Sequence, residues 1–195
     1  MADGKTHAAG TRTLAMFLFV GQITNGIHQG YPLQTIFFSS LTLSIGALGG
    51  LFLTPDLDVD IGSDSEDEVR EISPLGANLW WIYWFPYRKL IPHRSPLSHW
   101  PVIGTLGRLL YLSIAYWILL AVAYFLNSTA LGILQQAGIG LLEFPYFYIA
   151  VVGLASADTL HFLMDQRIFH KIFRQRRWVP QQQTWWGKAF ARNQG

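Results

Sequence analysis

His93 and His99 stand six residues apart in Pro92-His93-Arg94-Ser95-Pro96-Leu97-Ser98-His99, beside an arginine and two serines. Pro55-Asp56-Leu57-Asp58 closes an earlier apolar run, and Asp158, His161 and Asp165 lie at the end of a later one. Imidazole nitrogen and carboxylate oxygen together suit Zn, Mn or Fe, whereas carboxylates alone favour Mg or Ca. The chain has no cysteine, so thiolate ligands, disulfides and cysteine nucleophiles are excluded. With His7 near the start, the expected metal ligands are His7, Asp56, Asp58, His93, His99, Asp158, His161 and Asp165. Eight groups exceed the needs of one tetrahedral ion, so either two ions bind or some of these side chains support the others. Arg94 is expected to hold a phosphate or carboxylate, and Ser98 to contact the substrate or cap a helix. Lys5 is a second candidate anion contact.

The elements that must position these groups are hydrophobic. Of 195 residues, 51% are hydrophobic and 13% charged, about half the ~25% charge typical of soluble domains. Mean hydropathy is +0.25. The expected class is an all-α integral membrane bundle with about four hydrophobic segments. Leu33 to Thr54 and Val102 to Leu126 are the clear spans, at the ~20 residues a crossing needs. Ile139 to Ala157 is a third, carrying Glu143 and Pro145, and Thr13 to Ile27 is the weakest. Residues 1–165 read as the membrane-embedded metal-binding domain, and 166–195 as a basic tail. The N-terminus lacks the pattern of a cleaved signal peptide.

Pro55 to Pro101 reads as a long loop, acidic first and then aromatic. Trp80, Trp81, Tyr83, Trp84, Phe85 and Tyr87 predict a helix along the bilayer surface, with Arg88 and Lys89 toward lipid headgroups. An aromatic core beneath a soluble loop is the duller alternative. Asp64 to Glu71 reads as a solvated acidic run.

Charge sets the orientation. Arg167, Lys171, Arg174, Arg176, Arg177, Lys188 and Arg192 follow Asp165 with no acidic residue among them, which places the tail in the cytoplasm. Counting back over four crossings puts the N-terminus and the central segment on the same side. The outer loops, near His28 and Gln135, carry no lysine or arginine. All eight candidate ligands then face the cytoplasm. Asp158, His161 and Asp165 also share one helical face by their i, i+3, i+7 spacing. Anionic lipid is an expected partner of the tail, and nucleic acid is not favoured.

Thr6-His7, Leu53-Thr54-Pro55-Asp56-Leu57-Asp58, the stretch from Pro86 to His99 and Gly104-Thr105-Leu106-Gly107-Arg108-Leu109-Leu110-Tyr111 resemble an uncharacterised bacterial membrane-protein family. That family is described as metal-binding and is frequent in cyanobacteria. More distantly, the order His, Pro-Asp-x-Asp, His-Arg-x-x-Ser/Thr-His is similar to the membrane-bound metal-dependent hydrolases. The resemblance runs from the N-terminus to about Asp165. It implies a divalent metal and a membrane setting, here the bacterial inner or thylakoid membrane. The hydrolase likeness implies metal-assisted cleavage of a phosphoester or another anionic substrate. A non-catalytic scaffold or assembly factor clamped by its metal is the competing expectation.

Overall fold

The computed structural model describes residues 4–59, 64–92, 95–126 and 129–165. Among them it contains eight α-helices, one 3-10 turn and no strand. His93, Arg94 and the basic tail lie outside the described residues.

The helices α1 (Gly4–His28) and α2 (Leu33–Gly49) form a hairpin. Gly30 takes φ 71° in the turn between them, a conformation that glycine adopts without steric cost. α2 then packs along both α1 and α8 (Pro145–Asp165). Small residues allow that approach. A Cβ on Gly46 would sit 2.1 Å from the Ala150 carbonyl oxygen, and one on Gly153 would sit 2.1 Å from that of Leu43. Ser44 Oγ donates to the Ala15 carbonyl at 2.8 Å, so the α1–α2 seam also carries a buried hydrogen bond.

The segment expected as a loop is largely helical. It holds the 3-10 turn Pro55–Asp58, α3 (Asp64–Ile72), α4 (Pro74–Leu90) and the short α5 (Pro96–His99). Local signals explain the starts. Thr54 accepts from the Asp56 N–H at 2.9 Å and Ser73 accepts from the Gly76 N–H at 3.1 Å, each with proline at the first helical position. α4 does not simply lie on a surface. Trp84 and Tyr87 are buried with Leu57, and Trp84 stacks on Tyr111 of α6 (Pro101–Phe125). Leu75, Leu79, Ile82 and Phe85 are exposed on the same helix. Arg88, expected to face headgroups, is buried with Glu66, because its guanidinium has both a carboxylate and a carbonyl to satisfy it. The run from Asp64 to Glu71 is therefore not wholly solvated.

Two helices, α6 and α8, are long and apolar enough to cross a membrane, and α2 is a shorter apolar helix. The expected span Ile139 to Ala157 is not one helix. It straddles the end of α7 (Ala130–Glu143) and the start of α8, and the chain is extended at Phe144, just before Pro145.

Adding a methyl at Gly153 forces α2 and α8 apart at a backbone contact. Gly153→Ala is expected to destabilise the fold by about 1–3 kcal/mol, as overpacking does. Thermal unfolding checks this, and an unchanged midpoint would contradict the close packing.

Candidate metal centre

Four segments bring histidines and aspartates to one end of the bundle. The first turns of α1 supply His7, and the 3-10 turn supplies Asp56 and Asp58. His99 ends α5, and the last turns of α8 supply His161 and Asp165. Each donor sits at the start or end of its element, so the packing of α1, α2 and α8 fixes where the donors meet.

Two donor sets close, each with its ligand atoms within 4.8 Å of one another: His7, His161 and Asp165, and Asp56, His99 and His161. His161 belongs to both. Its Nε2 faces Asp56 Oδ2 at 3.4 Å and Asp165 Oδ2 at 3.6 Å. Asp165 Oδ1 faces His7 Nε2 at 3.3 Å, and Asp56 Oδ1 faces His99 Nε2 at 3.5 Å. The rings of His7 and His161 stack with centroids 3.9 Å apart.

These separations discriminate between two uses of the same side chains. Good N–H···O hydrogen bonds have heavy-atom distances of about 2.7–3.2 Å, shorter than any of the four. Two ligands about 2.0–2.1 Å from a tetrahedral ion lie roughly 3.3–3.4 Å apart, close to what is seen. One imidazole N–H can also serve only one of the two carboxylates that face His161 Nε2. His7 Nδ1, Asp56 Oδ1, His161 Nε2 and Asp165 Oδ1 are buried with no hydrogen-bond partner among the described residues. Buried acceptors crowded this way need shared protons or a cation. The donor set fits a divalent transition ion. Burial pushes the Asp56 carboxyl up, but the facing imidazoles of His161 and His99 outweigh that and hold it well below the usual carboxylate range. Asp56 is thus ionised.

The other expected site residues fall into distinct places. Asp58 is buried and faces the opposite nitrogen of His99, with Oδ2 3.6 Å from Nδ1. Ser98 Oγ lies 2.9 Å from the same Nδ1 and donates to the Ser95 carbonyl at 3.1 Å. Asp158 shares the α8 face with His161 but sits almost a turn deeper. There it pairs with Arg108 and accepts from Thr105 Oγ1, and it joins neither donor set. His93 and Arg94 lie outside the described residues.

Sequence reasoning missed three contributors. Arg108 is fully buried opposite Asp158, and the signal was a lone cation inside an apolar segment. Glu66 is buried against Arg88. Glu68 lines a cavity together with His7, His161, Thr11 and Thr54, and Arg12 grips its carboxylate at 2.6 and 2.8 Å. Nothing in the acidic run distinguished these two glutamates from their neighbours.

An all-helical protein with a buried cluster of histidines and aspartates at one end is of the metal-binding class. The chain belongs to the family described as uncharacterized metal-binding protein (DUF2227), whose profile matches residues 2–176. No curated protein and no solved structure matches it.

Because His161 serves both donor sets, His161→Ala is expected to abolish metal uptake. Asp58→Asn leaves every donor atom of the two sets in place and is expected to weaken affinity about 10–100-fold, by loosening the His99 ring. Elemental analysis and titration with Zn or Mn check both. Full uptake by His161→Ala would contradict the assignment.

Proposed function

We propose that the chain is a divalent-metal-dependent hydrolase set in a membrane, acting on a phosphoester or another anionic substrate at the cytoplasmic face. Zn, Mn and Fe are the ions its donors suit. The observation that carries the catalytic reading is the cavity beside the donors. His7 and His161 line it, so an ion held between them would have one side toward that cavity. Catalytic metal sites keep such an open position, whereas structural sites are closed.

His7, Asp56, His99, His161 and Asp165 hold the ion in this reading. Asp58 and Ser98 fix the tautomer and tilt of His99 from its far nitrogen, so Ser98 acts on a ligand rather than on substrate. When bound, a divalent ion supplies Lewis acidity and activates water near neutral pH. Glu68, held by Arg12 on the cavity wall, is placed to take the proton that water gives up. Ala8 and Glu68 also line a wider cleft that carries Lys5, Arg12 and Arg70 together with Asp67 and Glu71. His93 and Arg94 stay in the proposal as an added ligand and an anion contact, on sequence alone.

The membrane setting rests on exposure. The most apolar stretch of α6 is almost entirely unburied, and that of α8 mostly so, unlike the core helix of a soluble protein. Leu110, Trp117, Ile118 and Phe125 are exposed along α6, and Met16, Phe17 and Val20 along α1. The charge asymmetry of the sequence puts both termini and the metal centre on the cytoplasmic side. In this arrangement residues 1–165 form the membrane domain and 166–195 a basic tail near anionic lipid.

Purified protein loaded with Mn or Zn is expected to hydrolyse p-nitrophenyl phosphate or its diester. Glu68→Gln is expected to lower kcat about 100-fold or more with metal content unchanged. Stoichiometric metal without turnover of any phosphoester would remove the hydrolase and leave a metal-clamped scaffold.

A further inference from the structure

Two buried arginines behind the centre make the same set of contacts. Arg88 of α4 donates from Nε to the Leu57 carbonyl at 3.2 Å and pairs through Nη2 with Glu66. Arg108 of α6 donates from Nη1 to the Ser98 carbonyl at 2.8 Å and pairs through Nη2 with Asp158. The two arginine side chains are 1% and 0% exposed, and their carboxylate partners 5% and 2%. Leu57 lies between Asp56 and Asp58, and Ser98 immediately precedes His99. Each guanidinium therefore ties down the backbone next to a donor, and each has its own carboxylate to balance its charge.

We propose that Arg88 and Arg108 are positioning residues of the metal centre, with Glu66 and Asp158 as their counter-charges. The inference rests on the metal-binding reading of the site.

Three observations support it beyond the contacts themselves. First, the donor segments are short. The 3-10 turn and α5 have four residues each, too few to hold a shape alone. A metal site needs its donors held to within about 0.5 Å, so something outside these segments has to fix them. Second, buried ion pairs add little net stability over apolar side chains of the same volume, so fold stability alone does not call for two of them. Third, α6 is shaped for the contact. A Cβ on Gly104 would lie 2.3 Å from the Ser98 carbonyl oxygen and 3.4 Å from Arg108 Nη1. The missing side chain at Gly104 lets the α5 backbone come close enough for Arg108 to reach it. A lysine would keep the charge at either arginine position but lose the fork that serves a carbonyl and a carboxylate together.

The test uses the full chain and Co(II) alone as probe, read by its visible absorption and by titration, with far-UV circular dichroism reporting helix content. Arg88→Lys and Arg108→Lys are expected to keep the helices, lower Co(II) affinity about 10–100-fold, and shift the absorption bands as donor geometry loosens. Gly104→Ala displaces the Ser98 carbonyl without removing a charge and is expected to act like Arg108→Lys. It stands in for that variant if Arg108→Lys loses helix content. Parent-like affinity and spectrum in folded Arg88→Lys, and in Arg108→Lys or Gly104→Ala, would overturn the proposal even if the melting temperature fell. A parent protein that takes up no Co(II) would overturn the metal reading itself, and this proposal with it.

Discussion

Asp56 turns one carboxylate oxygen toward His99 and the other toward His161, and Asp165 does the same for His7 and His161. These facing acceptors are the constraint on which the centre depends. Removed from water and set 3.3–3.6 Å from the imidazole nitrogens, these carboxylates need positive charge beside them. Protons can supply part of it, and a divalent ion supplies it to all of them at once. The fold brings the donors together from α1, the 3-10 turn, α5 and α8, at separations longer than a good N–H···O hydrogen bond. That spacing fits ligands of a shared cation.

The frame that imposes this arrangement is rigid in identifiable places. α2 lies against α8 with backbone nearly touching backbone at Gly46 and Gly153, which fixes the end of α8 and so His161 and Asp165. Trp84, Tyr87 and Tyr111 pack around Leu57 of the 3-10 turn. The buried charges fall into two kinds. Arg88–Glu66 and Arg108–Asp158 are pairs of opposite sign. The histidine and aspartate cluster pairs carboxylates with imidazoles instead, and it borders a cavity.

Much of the centre was legible in the sequence, because ionisable residues at the ends of apolar segments are costly unless they meet a partner. That reasoning collected His7, Asp56, His99, His161 and Asp165 at one end of the molecule, where the structure places them. It also collected Asp158, since helical spacing reports the face but not the depth. Almost one turn further into the bundle, the nearest partner is Arg108, from a segment far away in sequence. Glu66 and Glu68 were hidden for a different reason. In an acidic run every carboxylate looks solvated, and only the packing of α3 against α4 and α1 selects two of them. The all-α character of the described residues followed from the apolar segments, but the helical content between Pro55 and Pro101 did not, as its aromatic residues signal a surface and a core equally well. The break at Phe144 was written in Pro145, yet the apolar run on either side concealed it.

X-ray absorption at the edge of the bound metal tests the central claim most directly. For the zinc-loaded protein the account predicts nitrogen and oxygen neighbours at about 2.0–2.1 Å, with the outer-shell scattering that two or more imidazole rings produce. A shell of oxygen alone, with no imidazole signal, would place the ion elsewhere and contradict the account.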